Sequence, residues 1–162
     1  MNLSASFLWP LGVAAAVAVV VAIAGAVLTE IGPWYDALRK PAWKPPDWAF
    51  GPVWTTIFVL TVIATALAWQ AAEGTGARTI IFWALAVNAV LNVAWSGIFF
   101  KLQRPDWALR EVVLLWLSVI GLIVALGSVS TWAAILLLPY LAWVSTASFL
   151  NLRIVQMNAP FG

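Results

Sequence analysis

The chain has no cysteine and no histidine, and only 9% of its 162 residues are charged. Without cysteine there is no disulfide and no thiolate to act as ligand or nucleophile. Without histidine the commonest neutral metal ligand and the commonest general base near pH 7 are missing. The six acidic residues fall mostly near predicted helix ends, so no metal site and no required cofactor is expected. A soluble domain usually carries about 25% charged residues. A chain with 9% cannot build a water-facing surface, and most of its exterior must meet lipid. The eight Lys and Arg are scattered and form no nucleic-acid footprint. There is no phosphate loop, no nucleophile elbow and no HExxH. The apolar segments hold no paired carboxylates of the kind an ion pump needs. Glu111 is the marginal case, expected to cap a helix or to pair with Arg110 or Arg104 at the interface.

What is present is apolar: 64% of the chain, in long runs. Helices are predicted over residues 7–29, 48–70, 78–100, 107–126 and 131–155. Each is near the roughly 20 residues that cross a hydrocarbon core of about 30 Å. The expected fold is all-α: a polytopic membrane protein, one domain over 1–162, built as a five-transmembrane-helix bundle with consecutive helices antiparallel. The first run is too long for a signal-peptide core, and MNLSASF before it lacks Lys and Arg, so it reads as a retained helix. Its Ala14, Ala18, Ala22 and Ala26 recur at a spacing that lets another helix approach closely. Residues 30–47, EIGPWYDALRKPAWKPPD, carry four prolines that forbid one long helix. A short helical turn over Tyr35–Lys40 is expected there, in a loop able to close one end of the bundle as a lid. Pro139 inside the fifth helix predicts a kink.

Arg39, Lys40, Lys44, Lys101, Arg104, Arg110 and Arg153 fall on the C-terminal side of such a bundle, and only Arg78 on the other. The positive-inside rule then puts the N-terminus outside and the C-terminus in the cytoplasm.

Three helical stripes combine polar and aromatic residues. Asn88, Asn92, Trp95 and Ser96 share a face of the third helix, and Trp54, Phe58, Thr61 and Thr65 one of the second. Tyr140, Trp143, Ala147 and Asn151 share a face of the fifth. Amides this deep do not face lipid. Two readings fit them: glue between helices, or a cavity whose aromatic walls suit a flat apolar ligand. The twelve tryptophans divide in the same way between interface belt and site lining. Arg39, Lys40 and Lys44 would determine topology, or attract a ligand carboxylate.

Three segments carry a resemblance: WYDALRKPAWKPPDWAFGPVWT (34–55), NAVLNVAWSGIFF (88–100) and PYLAWVSTASFLN (139–151). In order along nearly the whole chain, they resemble the TspO/MBR family, the tryptophan-rich sensory and translocator proteins that include the peripheral-type benzodiazepine receptor. The resemblance implies a five-helix bundle, often a homodimer, binding tetrapyrroles such as protoporphyrin IX or haem. Sterols and benzodiazepine-type ligands are also implied. It implies a bacterial cell membrane as the location, with an outer membrane as the alternative. It places cavity roles on Trp54, Asn92, Trp95, Trp107, Trp143, Ala147 and Leu150, and photochemistry on Trp54 and Trp143. With the stripes, the expected ligand-binding set also takes in Phe58, Asn88, Tyr140 and Asn151. Phe58 stands where many relatives have Tyr, and Asn88 where they often have Gln. FLNLRIVQ lacks the tyrosine of the cholesterol-recognition pattern. Absent His and Cys leave haem without its usual strong axial ligands. The leading expectation is a receptor or sensor for a porphyrin-like ligand. The alternatives are a light-dependent porphyrin-degrading enzyme and a tetrapyrrole or sterol transporter.

Overall fold

The computed structural model describes residues 5–161, with side chains from Leu8 onward. Five helices are long and apolar enough to cross a membrane. They are α1 (Ala5–Leu28), α3 (Asp47–Ala71), α4 (Gly74–Ser96), α5 (Pro105–Gly127) and α6 (Thr131–Asn158). The short α2 (Pro33–Ala37) lies between α1 and α3. It starts earlier than the turn expected over Tyr35–Lys40, because Pro33 is preset for a first helical position. α4 begins at Gly74, four residues before the predicted start, since the turn after α3 needs only Ala72 and Glu73. α6 runs on to Asn158 and stays one helix through Pro139.

Helix order around the bundle is α1–α3–α6–α5–α4, closing with a light contact of α4 on α1. The tightest packing is α5 on α6. A Cβ placed on Gly127 would come within 3.0 Å of the Ala134 Cβ, so glycine is what lets these two helices converge at their turn. The main core runs through Ile57, Ala64, Ala68, Ile81, Val112, Val119, Leu122, Leu137 and Val144. α1 packs on α3 and more lightly on α4, with Pro10 and Val21 its buried residues among those described. A helix apolar on every side and bare on most of them is stable only in lipid.

Several threonine and serine hydroxyls inside the spans are satisfied within their own helices, which suits a bilayer. Thr61 donates to the Ile57 carbonyl at 2.8 Å and Thr65 to the Thr61 carbonyl at 2.7 Å. Ser145 and Ser148 on α6 do the same to Leu141 and Val144.

The far end of α4 widens into a π turn, Gly97–Lys101, marked by Leu102 N–H donating to the Gly97 carbonyl at 3.0 Å. The extra residue in that turn lets both Phe99 and Phe100 point inward. They join Tyr35, Ala108, Leu150 and Ile154 in a second core beneath the 30–47 segment. Trp34 meets Phe99 edge-on at 6.1 Å, and Trp43 stacks on Phe149 at 5.3 Å. The segment is thus packed down by its own aromatics.

Candidate functional site

A cavity of about 370 Å³ opens between α1, α3 and α4, with α6 at its floor. α1 contributes Val13, Ala14, Val17, Ala18 and Val21. The alanine spacing leaves a void along Ala14 and Ala18 while α1 packs on α3. From α3 come Phe58, Thr61, Val62, Thr65 and Trp69; from α4, Phe82, Leu85, Asn88 and Asn92; from α6, Tyr140. Trp9 and Phe82, both more than half exposed, flank the mouth. That mouth therefore faces lipid. Among the described residues no charged side chain lines the cavity.

The polar residues at the floor are joined in one chain of hydrogen bonds. Asn92 Nδ2 donates to the Tyr140 hydroxyl at 2.9 Å. The hydroxyl donates to Asn88 Oδ1 at 3.1 Å, and Asn88 Nδ2 donates to Ser118 Oγ at 2.9 Å. Ser118 Oγ ends the chain on the Leu115 carbonyl at 2.7 Å. Glue and lining are therefore the same residues: the chain ties α4, α6 and α5 together while Asn88, Asn92 and Tyr140 face the void.

The eleven residues expected at the site separate into two tiers. Phe58, Asn88, Asn92 and Tyr140 line the cavity. Trp54 stands directly behind it, stacked on Phe58 at 5.5 Å and edge-on to Tyr140 at 6.0 Å. The others lie toward the opposite end of the bundle. Trp143 meets Phe50 edge-on at 5.3 Å. Trp95 stacks on Phe99 at 5.2 Å and donates Nε1–H to Asn151 Oδ1 at 3.2 Å. Asn151 in turn donates to the Pro105 carbonyl at 2.8 Å, bridging α6 to the start of α5. Leu150 belongs to the second core, and Ala147 is half-buried one turn beyond Trp143. Trp107 is half exposed, with the Arg104 guanidinium 4.4 Å over its ring. Sequence reasoning missed the valines of the α1 wall, which carry no polar mark, and missed Trp69, although it continues the Thr61–Thr65 spacing of α3 by one turn.

Glu111 is buried, and neither carboxylate oxygen has a hydrogen-bond partner among the described residues. The pairing expected for it is not made: Arg104 is held by Asp106 through two hydrogen bonds, at 2.8 and 2.5 Å.

The 30–47 segment is fastened at several points. Lys40 Nζ donates to the carbonyls of Tyr35 and Leu38, and Lys44 pairs with Asp47. Burial pushes the Tyr35 hydroxyl well above its ordinary titration range, and the Asp47 charge adds to this. Burial lowers Lys40, with Asp36 working the other way.

Six of the twelve tryptophans are exposed at the bundle surface: Trp9, Trp43, Trp48, Trp83, Trp107 and Trp132. The TspO/MBR family pattern matches residues 13–157 of this five-helix, tryptophan-rich chain. The chain belongs to the TspO/MBR family. It is 42% identical over 129 residues to the tryptophan-rich protein TspO of Chlorobaculum tepidum, covering 77% of this chain and 79% of the relative. It is 36% identical over 125 residues to the tryptophan-rich sensory protein of Cereibacter sphaeroides, covering 77% of each. It is 37% identical over 126 residues to the human translocator protein, covering 77% of this chain and 75% of the relative. Family membership and the apolar helices together make it an integral membrane protein.

Proposed function

We propose that this TspO/MBR member is a membrane receptor and sensor that binds a porphyrin-like tetrapyrrole within the bundle. The observation that carries the reading is the cavity of about 370 Å³, with aromatic and aliphatic walls and a neutral amide–phenol floor. Its volume is in the range of about 300–1,000 Å³ typical of small-molecule sites. Phe58, Phe82, Trp9 and Trp69 supply flat apolar surface for a macrocycle, and Trp54 backs Phe58. Nothing in the lining offers a strong axial ligand to iron, which favours metal-free protoporphyrin IX over haem.

The propionates of such a ligand must leave a cavity in which no described residue supplies a cation. Arg39, Lys40 and Lys44 belong to the segment at the other end of the bundle. On the cavity's own end Arg78 lies 5.8 Å over the Trp69 ring, so Arg78 is the cation assigned to the carboxylates. Trp95, Trp107, Trp143, Ala147, Leu150 and Asn151 then form a second tier. They shape the bundle under the 30–47 segment, which acts as the lid of that end.

The reading includes an N-terminus outside and a C-terminus in the cytoplasm, from the basic residues of the lid side. It also includes a homodimer, in keeping with the bare apolar flank of α1. The test is a dark titration with protoporphyrin IX followed by tryptophan quenching. Saturation near one ligand per chain, weakened by Phe58→Ala, is expected. Quenching that never saturates would remove the porphyrin reading.

A second reading, light-driven oxidation of the bound porphyrin by oxygen, draws on one observation. Trp54 is a single ring away from the cavity through both Phe58 and Tyr140, which suits it to electron exchange. Trp54→Phe should then stop product formation in light, while Trp143→Phe, packed on Phe50, should slow it far less.

A further inference from the structure

The hydrogen-bond chain at the cavity floor has a polarity, and its direction is forced from one end. The Leu115 carbonyl can only accept, so Ser118, 2.7 Å away, must give it the hydroxyl hydrogen. Ser118 Oγ is then an acceptor toward Asn88, which must present its NH2 at 2.9 Å and therefore turns its oxygen to Tyr140. Tyr140 has one hydrogen, spent on Asn88 Oδ1 at 3.1 Å. At 2.9 Å from Asn92 it can only accept, so Asn92 presents its NH2. Asn92 Oδ1 is left as the terminal acceptor of the chain, and among the described residues nothing donates to it. It is not sealed either: the only buried, unpartnered side-chain oxygens among the described residues belong to Glu111. Asn92 lines the cavity, and the residue is 7% exposed. Thr61 and Thr65 line the same void with their hydrogens already given to Ile57 and Thr61.

We propose that Asn92 Oδ1 is a specificity-determining acceptor, so that the cavity selects flat ligands whose buried edge carries an outward N–H or O–H donor. An acceptor left empty against an apolar ligand forfeits its hydrogen bond in surroundings where water cannot replace it. A ligand whose edge donor meets Asn92 completes the chain from α4 through α6 to α5. A closed, metal-free macrocycle turns its N–H groups inward and gains little from this acceptor. An open tetrapyrrole or an aromatic heterocycle with an edge N–H gains fully. The inference deepens the reading of the cavity as a ligand site and rests on it.

The test uses the isosteric pair carbazole and dibenzofuran, which differ by an edge N–H against a ring oxygen. Both are titrated against the whole protein in lipid nanodiscs, with protoporphyrin IX in parallel. Carbazole should bind roughly tenfold tighter than dibenzofuran, and Asn92→Leu should reduce that ratio to about one by weakening carbazole. Equal affinities in the wild type would overturn the inference, even with protoporphyrin IX saturating as expected. A tenfold preference without porphyrin saturation would support the inference and sink the porphyrin reading. Binding of neither tricycle would overturn the inference. The wild-type pair decides without any variant, so a misfolded Asn92→Leu protein does not spoil the test.

Discussion

Arg39 and Asn158, 119 residues apart in the chain, hold each other in a two-way pair. The Arg39 amide donates to Asn158 Oδ1, and Asn158 Nδ2 donates to the Arg39 carbonyl, both at 2.8 Å. The last residue of α6 therefore pins the middle of the 30–47 segment through its backbone. Asn158→Ala removes both bonds and should loosen the segment locally by about 1 kcal/mol. Hydrogen exchange of the Arg39 amide should rise several-fold, while amides within the spans stay protected. Unchanged exchange would show that the segment's aromatic and lysine contacts hold it without the Asn158 pair.

Tyr35 gives the same segment a pH limit. Its hydroxyl is raised by burial and by Asp47, so the folded segment keeps the proton while a released tyrosine ionises near its ordinary value of 10.0. Below that value the group is neutral in both states. Above it the released state loses a proton that the docked state retains, so docking weakens as pH rises. Tyr35→Phe should remove this alkaline dependence. In a Tyr140→Phe background, where Tyr35 is the only tyrosine, tyrosinate absorbance should appear only as the segment releases.

Filling the cavity should block binding without unfolding the protein. Ala18 lines the void, whereas Ala26, two turns along, is exposed and does not. Ala18→Phe places a ring in existing space, where overpacking strain is small. It should weaken protoporphyrin IX by about tenfold or more, and Ala26→Phe should leave it unchanged. Equal effects from both would indicate a general disturbance of α1.

Arg78 separates charge recognition from ring recognition. Arg78→Ala should lower the affinity for protoporphyrin IX by roughly two- to fivefold, the scale of an exposed ion pair. The dimethyl ester, which has no carboxylate to anchor, should bind both forms equally. An equal loss for the ester would assign Arg78 to the support of Trp69.

Glu111 is a carboxyl group buried without a hydrogen-bond partner among the described residues. An apolar replacement of similar size removes that cost, so Glu111→Leu should stabilise the protein by about 1–3 kcal/mol. A higher thermal midpoint in nanodiscs is the expected result. A lower midpoint would mean that the carboxyl group makes an interaction in the membrane that stabilises the fold.

The five spans were legible because lipid-facing helices must be long apolar runs, and only their ends shifted by a few residues. Periodicity also placed Asn88 with Asn92, and Phe58 with Thr61 and Thr65. Spacing reports which side of a helix a residue occupies, and says nothing of how full the bundle is at that depth. Tyr140 and Trp143 share a face of α6, yet the void ends at Tyr140 because Phe50 already occupies the space at Trp143. The π turn that brings in Phe99 and Phe100 depends on tertiary packing and leaves no periodic trace. The pairing of Glu111 with Arg104, one of the two arginines expected, is not made for a local reason: Asp106, two residues from Arg104, takes both arms of its guanidinium.

The mouth flanked by Trp9 and Phe82 gives on to hydrocarbon, and this changes what occupancy measures. A guest dissolved in the bilayer reaches the protein by partitioning, so the controlling quantity is its mole fraction among lipids. Adding lipid at constant protein and constant guest should empty the site by dilution. The protein would thereby report how heavily the membrane itself is loaded, and a cell could alter its response by changing bilayer area alone.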